Sequence, residues 1–332
     1  MRPIKPTALA SELKANCLAG LPSMIWGAPG AGKSEIVYQV AASINAVVCE
    51  LRANLFDPVD VRGVPKVLEQ ADGTLRTKYG VPEEYPASDY QGHVIMFIDE
   101  LSTAPKATQN CLLQLLTTGK VGTYTCPPNT SFIAAGNRLQ DRAAVHEMPT
   151  PVKTRFNHYE LQADIDDWCA WAYDNDVDTS IISFLRYRPG LLSDLNPSEN
   201  ASPTPRTWTY ASKKMPFMSD EFYGIASLVG DGPAGEYLAF KAVYNDLIEF
   251  DDILNKPTTA KISTDASVLY ATVGLIVTNT TVANFPKVVK YIKRMPPEYQ
   301  VVAMRDIVAK DRTIIKEKPF TEWAAENADV FL

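Results

Sequence analysis

Cysteine is scarce in this chain of 332 residues, and the five present are widely scattered. Cys17, Cys49, Cys111, Cys126 and Cys169 form no C-x-x-C pair, which excludes the usual spacings of zinc sites and dithiol redox centres. Cys17, Cys49 and Cys111 lie in apolar periodic stretches, where a thiol acts as a small buried hydrophobe. That usage fits the reducing cytoplasm. A membrane-spanning run is also missing. Spanning takes about 18 apolar residues, and the best stretch, 268–277, is too short and is broken by Thr272 and Gly274. The first residues read as an amphipathic helix with Leu9, Leu13 and Cys17 on one side, not as a signal peptide. Positive charge is in deficit: 32 Lys and Arg face 39 Asp and Glu, for a net charge of −7. A protein whose affinity came from neutralising nucleic-acid phosphates would show the opposite balance, although a local basic patch is compatible with it. There is no internal repeat, helix-turn-helix or zinc-finger pattern.

What remains is an ordinary globular composition, 46% hydrophobic and 21% charged, on a chain long enough for two domains. Its most informative segment is GAPGAGKS at 27–34, a full G-x-x-x-x-G-K-S loop. A short apolar strand, 23–26, precedes it, and a helical pattern from Glu35 follows it. That context makes the motif a phosphate site. Gly27, Gly30 and Gly32 let backbone N–H groups crowd around phosphates, and Ala28, Pro29 and Ala31 complete the cradle. The helix N-terminus adds partial positive charge. Lys33 is placed to reach the β and γ phosphates, and Ser34 to hold Mg2+. The expected ligands are ATP and Mg2+.

The first half alternates apolar strands with helices, which predicts an α/β fold with a parallel five-stranded sheet. The strands are expected near 23–26, 47–51, 94–98, 132–135 and 158–161, with a helix over 106–116. Residues 54–90 differ: they are rich in Pro, Gly and charge and carry several turn signals. An insertion of that length reads as functional or as a plain surface loop. From Asp164 onward the pattern is helical, with runs near 208–214, 235–250, 286–294 and 301–308. The expected organisation is a nucleotide-binding core over 1–163, with insertions at about 54–90 and 119–130, and a helical lid and C-terminal region over 164–332.

The strand at 94–98 runs directly into Asp99 and Glu100. After a phosphate loop, that arrangement sets two carboxylates at the carboxyl edge of the sheet. Asp99 is expected at Mg2+, and Glu100 is expected to polarise the attacking water. Asn137 closes the next strand, where an amide can orient that water, although Gly-Asn also reads as a turn. Arg155 precedes the last strand and suits contact with a neighbouring subunit's phosphates; Arg142 is a second candidate. Each also reads as a surface arginine. Arg206, after Pro205, opens a helix of the second domain, and from the residues alone it is an ordinary helix start.

In this order the residues resemble an AAA+ ATPase, and within that class the MoxR branch. The strings that carry the likeness are GAPGAGKS at 27–34, LFDPVDVRG at 55–63, IDELSTAP at 98–105, QNCLLQLL at 109–116, GKV at 119–121, AGN at 135–137, Arg155-Phe156 and Pro205-Arg206. The last departs from the family's small-residue pattern. The likeness covers about residues 1–215. It implies a helix-2 insert over about 54–90, a hairpin before Asn137, and sensor roles for Asn137 and Arg206. It further implies a homo-oligomeric ring, usually a hexamer, with Arg155 acting across the subunit boundary. Relatives of this kind remodel or mature protein clients and work with a von Willebrand factor A protein. This chain lacks the D-x-S-x-S metal motif, so any such partner is a separate chain.

Two other readings stay open. Relatives with the same insertion include nucleic-acid helicases and a restriction GTPase, and Lys287, Lys290, Lys293 and Arg294 make a local basic cluster. That cluster also reads as a solvated helix face. The other is a nucleotide-switched binding module with little turnover, against which Glu100 and Arg155 speak.

Overall fold

Alternation along each central strand divides the first core in two. Successive side chains of a strand point to opposite faces. Val94, Met96 and Ile98 enter one buried cluster with Met24, Ala134, Leu112 and Leu115. Ile95 and Phe97 enter the other, with Ile25, Ile133, Leu9, Leu13, Ile36 and Val37. A strand buried on both faces must be apolar throughout, and all five residues from Val94 to Ile98 are fully buried.

The computed structural model describes residues 2–138, 141, 148–244 and 247–327. The chain divides into two compact units, the first ending at Gln162 and the second starting at Ala163. In the first unit the strands are β1 (Pro3–Ile4), β2 (Ser23–Trp26), β3 (Ala46–Arg52), β4 (Pro65–Glu69), β5 (Leu75–Tyr79), β6 (His93–Asp99), β7 (Lys120–Val121), β8 (Tyr124–Thr125), β9 (Thr130–Gly136) and β10 (Asn157–Leu161). The main sheet is parallel, in the order β1-β10-β2-β9-β6-β3. Five strands are expected from the sequence and six are present. The sixth, β1, has two residues and pairs with Glu160 and Leu161; a strand so short has no periodicity to read. Helices α1 (Pro6–Ala19) and α2 (Lys33–Ser43) bury Leu9, Leu13, Ile36 and Val37 in one cluster, and α4 (Lys106–Thr118) buries Leu112 and Leu115 in the other.

Residues 54–90 contain α3 (Pro58–Arg62) and the antiparallel pair β4–β5. A reciprocal capping box between Asp57 and Asp60 starts α3. The segment is pinned at its base. The Tyr85 hydroxyl donates to the Val61 carbonyl at 2.9 Å, and the Cys49 thiol on β3 donates to the Glu84 carbonyl at 2.9 Å. Tyr85 also packs against Tyr124 of the β7–β8 hairpin, with ring centroids 4.7 Å apart. A free surface loop would not bury Tyr85 in this way.

The second unit is helical. Among its described residues the α-helices are α6 (Ile165–Asp174), α7 (Thr179–Tyr187), α8 (Pro205–Lys214), α9 (Glu221–Val229), α10 (Asp231–Tyr244), α11 (Phe250–Asn255), α12 (Ala266–Asn279), α13 (Phe285–Ile292), α14 (Pro297–Lys310) and α15 (Lys318–Glu326); α5 (Thr150–Lys153) belongs to the first unit. The helix expected over 235–250 is two: α10 ends at Tyr244, and Asp251 and Asp252 favour the fresh N-terminus of α11. Phe184, Trp208 and Tyr237 centre one buried cluster, and Phe285, Tyr291 and Trp323 centre another. Buried Arg186 ties α6, α7 and α14 together through ion pairs to Asp166 and Asp306. Burial opposes its charge, but the charge and hydrogen bonds of Asp306, with Asp166 and nearby groups, together outweigh that and raise its pKa. Lys287, Lys290 and Lys293 line the exposed side of α13, and Lys293 pairs with Glu326 at 2.6 Å. That is a solvated face.

Candidate nucleotide site

The sheet ladder runs past the end of β2 into the glycine loop: the Gly27 N–H donates to the Gly136 carbonyl at 3.3 Å. Gly30 (φ 75°) and Gly32 (φ 94°) then take left-handed backbone conformations that a Cβ disfavours. The resulting turn delivers Lys33 as the first residue of α2. Its ammonium is buried and donates to the carbonyls of Gly27 at 2.9 Å and Ala28 at 3.1 Å, and to Asn137 Oδ1 at 2.8 Å.

Asp99 ends β6 beside this loop, and Glu100 follows it. Ser34 Oγ lies 3.4 Å from Asp99 Oδ2, and Asp99 Oδ1 accepts the Glu100 N–H at 2.8 Å. Glu100 has φ 54°, an uncommon left-handed conformation for a residue with a Cβ. That turn aims its carboxylate along the sheet edge, where Oε2 accepts from Asn137 Nδ2 at 3.1 Å. A donor-only ammonium on one side and an acceptor carboxylate on the other fix the orientation of the Asn137 amide. Lys33, Asn137 and Glu100 thus form one hydrogen-bonded chain.

Several supporting residues escaped the sequence reading. Ser102 Oγ accepts the Asn137 N–H at 3.1 Å and donates to the Asn137 carbonyl at 3.3 Å. Thr103 Oγ1 donates to the Glu100 carbonyl at 2.9 Å. Both hydroxyls closely follow a carboxylate pair at a strand end, a cue the sequence does offer. Arg138 is held by Asp141 at 2.8 Å and Glu160 at 3.2 Å. At the sheet edge Arg52 stands in register with Asp99 and pairs with Glu50 at 3.0 Å. Tyr38 donates to the same Glu50, which lowers the Glu50 pKa and pushes the Tyr38 phenol up to about 12.

The arginines lie elsewhere. Arg155 lies two residues before the start of β10, so it sits at the amino edge of a parallel sheet whose carboxyl edge holds the glycine loop. The five residues of β10 separate those edges by roughly 16 Å. Arg155 is exposed and donates to the Pro151 carbonyl at 3.3 Å. Arg206 is in the second unit, exposed on the first turn of α8, whose N-cap is Thr204. Arg142 lies outside the described residues.

Ser34 and Asp99 offer a hydroxyl and a carboxylate, both hard oxygen ligands of the kind Mg2+ takes. No group of three or more His, Cys, Asp or Glu gathers as a metal cage among the described residues. The donor set therefore fits a cation that draws its remaining ligands from water and phosphate. No described helix is long and apolar enough to cross a membrane.

The family profile described as AAA domain (dynein-related subfamily) matches residues 22–156. No curated protein sequence is significantly similar. Among solved structures, NtrX from Brucella abortus is 14% identical, with 95% of this chain and 64% of that chain covered and a TM-score of 0.43. This chain therefore spans less than two thirds of that one. NtrX in complex with ATP gives 13%, 98% and 68%, and 0.43. Thermotoga maritima RuvB, a Holliday junction branch migration motor, gives 13%, 75% and 74%, and 0.38. These likenesses are too distant to inform the activity. The glycine loop, the parallel sheet and the matched segment together give the first unit the P-loop fold of the AAA domain family, followed by a helical C-terminal region.

Proposed function

We propose that this chain is a MoxR-like ATPase that hydrolyses ATP to ADP and phosphate within a homo-oligomeric ring. The observation that carries this reading is the hydrogen-bonded chain Lys33–Asn137–Glu100. It puts a phosphate-binding cation, an orienting amide and a general base on one sheet edge.

In this account backbone N–H groups of 27–34 cradle the phosphates and Lys33 turns from its loop carbonyls to the β and γ phosphates. Ser34 and Asp99 would hold Mg2+, which when bound would offset charge on the phosphate oxygens. Glu100 accepts a proton from the attacking water, and Asn137 positions Glu100 and that water. Arg155 sits on the wrong edge to serve its own site, so it serves the next subunit's, stabilising charge on the leaving phosphoryl group. Arg206, on the first turn of α8, is the expected sensor residue of the helical unit. The client is a protein, and a von Willebrand factor A protein is the expected separate partner, in the cytoplasm.

Glu100→Gln tests the reading. ATP should still bind while steady-state hydrolysis falls by 10²-fold or more, about the range for loss of a general base. Unchanged turnover would remove Glu100 from the mechanism.

A further inference from the structure

The β4–β5 hairpin carries a charge arrangement that folding alone does not favour. The register pairs Lys66 with Lys78 and Leu68 with Arg76. These four residues share one face, because directly opposed residues point the same way and alternate residues repeat it. Like charges directly opposed across two strands destabilise the pair. Lys66, Arg76 and Lys78 are all exposed, and no acidic side chain pairs with them among the described residues. This stands in a chain whose net charge is −7. The other face holds Val67 and Leu75, 61% and 69% exposed.

The hairpin also leaves backbone unpaired. It is a separate two-stranded sheet. Hydrogen bonds from Gln70 N–H to the Thr74 carbonyl (2.8 Å) and from Gly80 N–H to the Val64 carbonyl (3.0 Å) fix its phase. The even-numbered residues of both strands therefore bond inward. The peptide groups of Leu75 and Thr77 point outward along β5, with no partner among the described residues. The phase explains a further contact: the outward carbonyl of Tyr79 accepts a hydrogen bond from the Thr123 hydroxyl of the β7–β8 turn. That contact closes one end of the β5 edge and leaves Leu75 to Thr77 open. On β4, Pro65 lacks an N–H and Glu69 adds negative charge, so that edge is guarded.

We propose that the open β5 edge receives an extended acidic segment of a partner protein as an added strand. Backbone bonds to Leu75 and Thr77 fix the segment in place. Its alternate side chains meet two different surfaces. Those on the basic face are Asp or Glu, set against Arg76, Lys78 and Lys66. Those on the other face are apolar and cover Leu75 and Val67. Charge complementarity selects the acidic occupant, and the unpaired peptide edge selects an extended one. No aromatic side chain lies on the basic face to stack a base, which favours peptide over single-stranded nucleic acid. Binding here does not depend on hydrolysis by the glycine-loop site.

The test is fluorescence anisotropy of the full chain with a labelled ten-residue peptide of alternating Glu and Val. A matching Lys and Val peptide, a thymidine 20-mer and a DNA duplex serve as comparison probes. The acidic peptide should bind alone, and Arg76→Glu with Lys78→Glu should weaken it by about tenfold or more. Thr77→Pro removes one outward N–H without touching an internal bond and should also abolish binding, whereas Glu69→Pro, which removes an outward N–H on the opposite edge, should spare it. ATP hydrolysis should be equal in all these variants, so a failed ATPase reading and a failed docking reading stay distinguishable. Tighter binding of either DNA would replace the peptide with nucleic acid. No binding of the acidic peptide, or equal binding by Thr77→Pro, would overturn the proposal.

Discussion

The side-chain amide of Asn137 lies 3.1 Å from the Glu100 carboxylate and 2.8 Å from the Lys33 ammonium. One residue therefore connects the Lys33 ammonium to the Glu100 carboxylate, the two groups proposed to bind phosphate and to act as general base. Asn137→Ala removes both bonds at once and leaves Lys33 and Glu100 in place. Hydrolysis should fall by about 10²-fold, while ATP affinity, read by a fluorescent analogue, changes far less.

Lys33→Ala should act on binding. The ammonium is buried and carries three hydrogen bonds that the methyl group cannot replace. Titration with an ATP analogue should show affinity reduced by more than about tenfold, since a charge-assisted bond is worth roughly 1.5–3 kcal/mol. Retained affinity with lost turnover would move Lys33 to a purely catalytic role.

Gly136→Ala tests how the site is held. An added Cβ would sit 2.6 Å from Ser102 Oγ and 2.8 Å from Met24 Cε. Ser102 clamps the backbone of Asn137, so the clash should lower stability by about 1–3 kcal/mol and reduce turnover together. Thermal denaturation beside an activity assay checks both effects.

In the second unit, Asp166 gives a pH dependence of known sign. Burial raises its pKa, but hydrogen bonding and charge from Arg186 and then Arg305 outweigh that, and the net shift is downward. A carboxyl lowered by folding contributes its stability fully at and above the ordinary carboxylate range. That contribution is lost as pH falls through the lowered pKa. The difference in melting temperature between the native chain and Asp166→Asn should thus be largest near pH 7 and shrink towards pH 3. A difference that grew on acidification would contradict the ion-pair account.

The gathering of residues at the carboxyl edge was legible because its signals are local. The glycine loop, the apolar run before Asp99 and the Gly-Asn at 136–137 each announce a strand end, and parallel pairing brings them together. The position of Ser102 just after the carboxylate pair was a cue, but its partner was not legible, since the Ser102–Asn137 and Asn137–Glu100 bonds join residues 35 or more apart in sequence. The strand β1 was too short to show alternation. In residues 54–90, turn signals marked an insertion, but the β4–β5 register, and with it the opposed lysines, emerges only from three-dimensional pairing. Helix existence in the second unit was readable from period, whereas the break between α10 and α11 was not.

The central claim is that Arg155 completes a neighbouring subunit's site. Its most direct test is the steady-state rate of ATP hydrolysis per chain, measured across protein concentration, for the native sequence and Arg155→Ala. Arg155 is exposed and, among the described residues, its hydrogen bonds are long and local, so the variant should fold and bind ATP normally. The account predicts a native rate that climbs with concentration and a variant rate lower by about 10³-fold at every concentration. A native rate per chain that is flat, and equal in Arg155→Ala, would contradict the shared site and leave a self-contained ATPase.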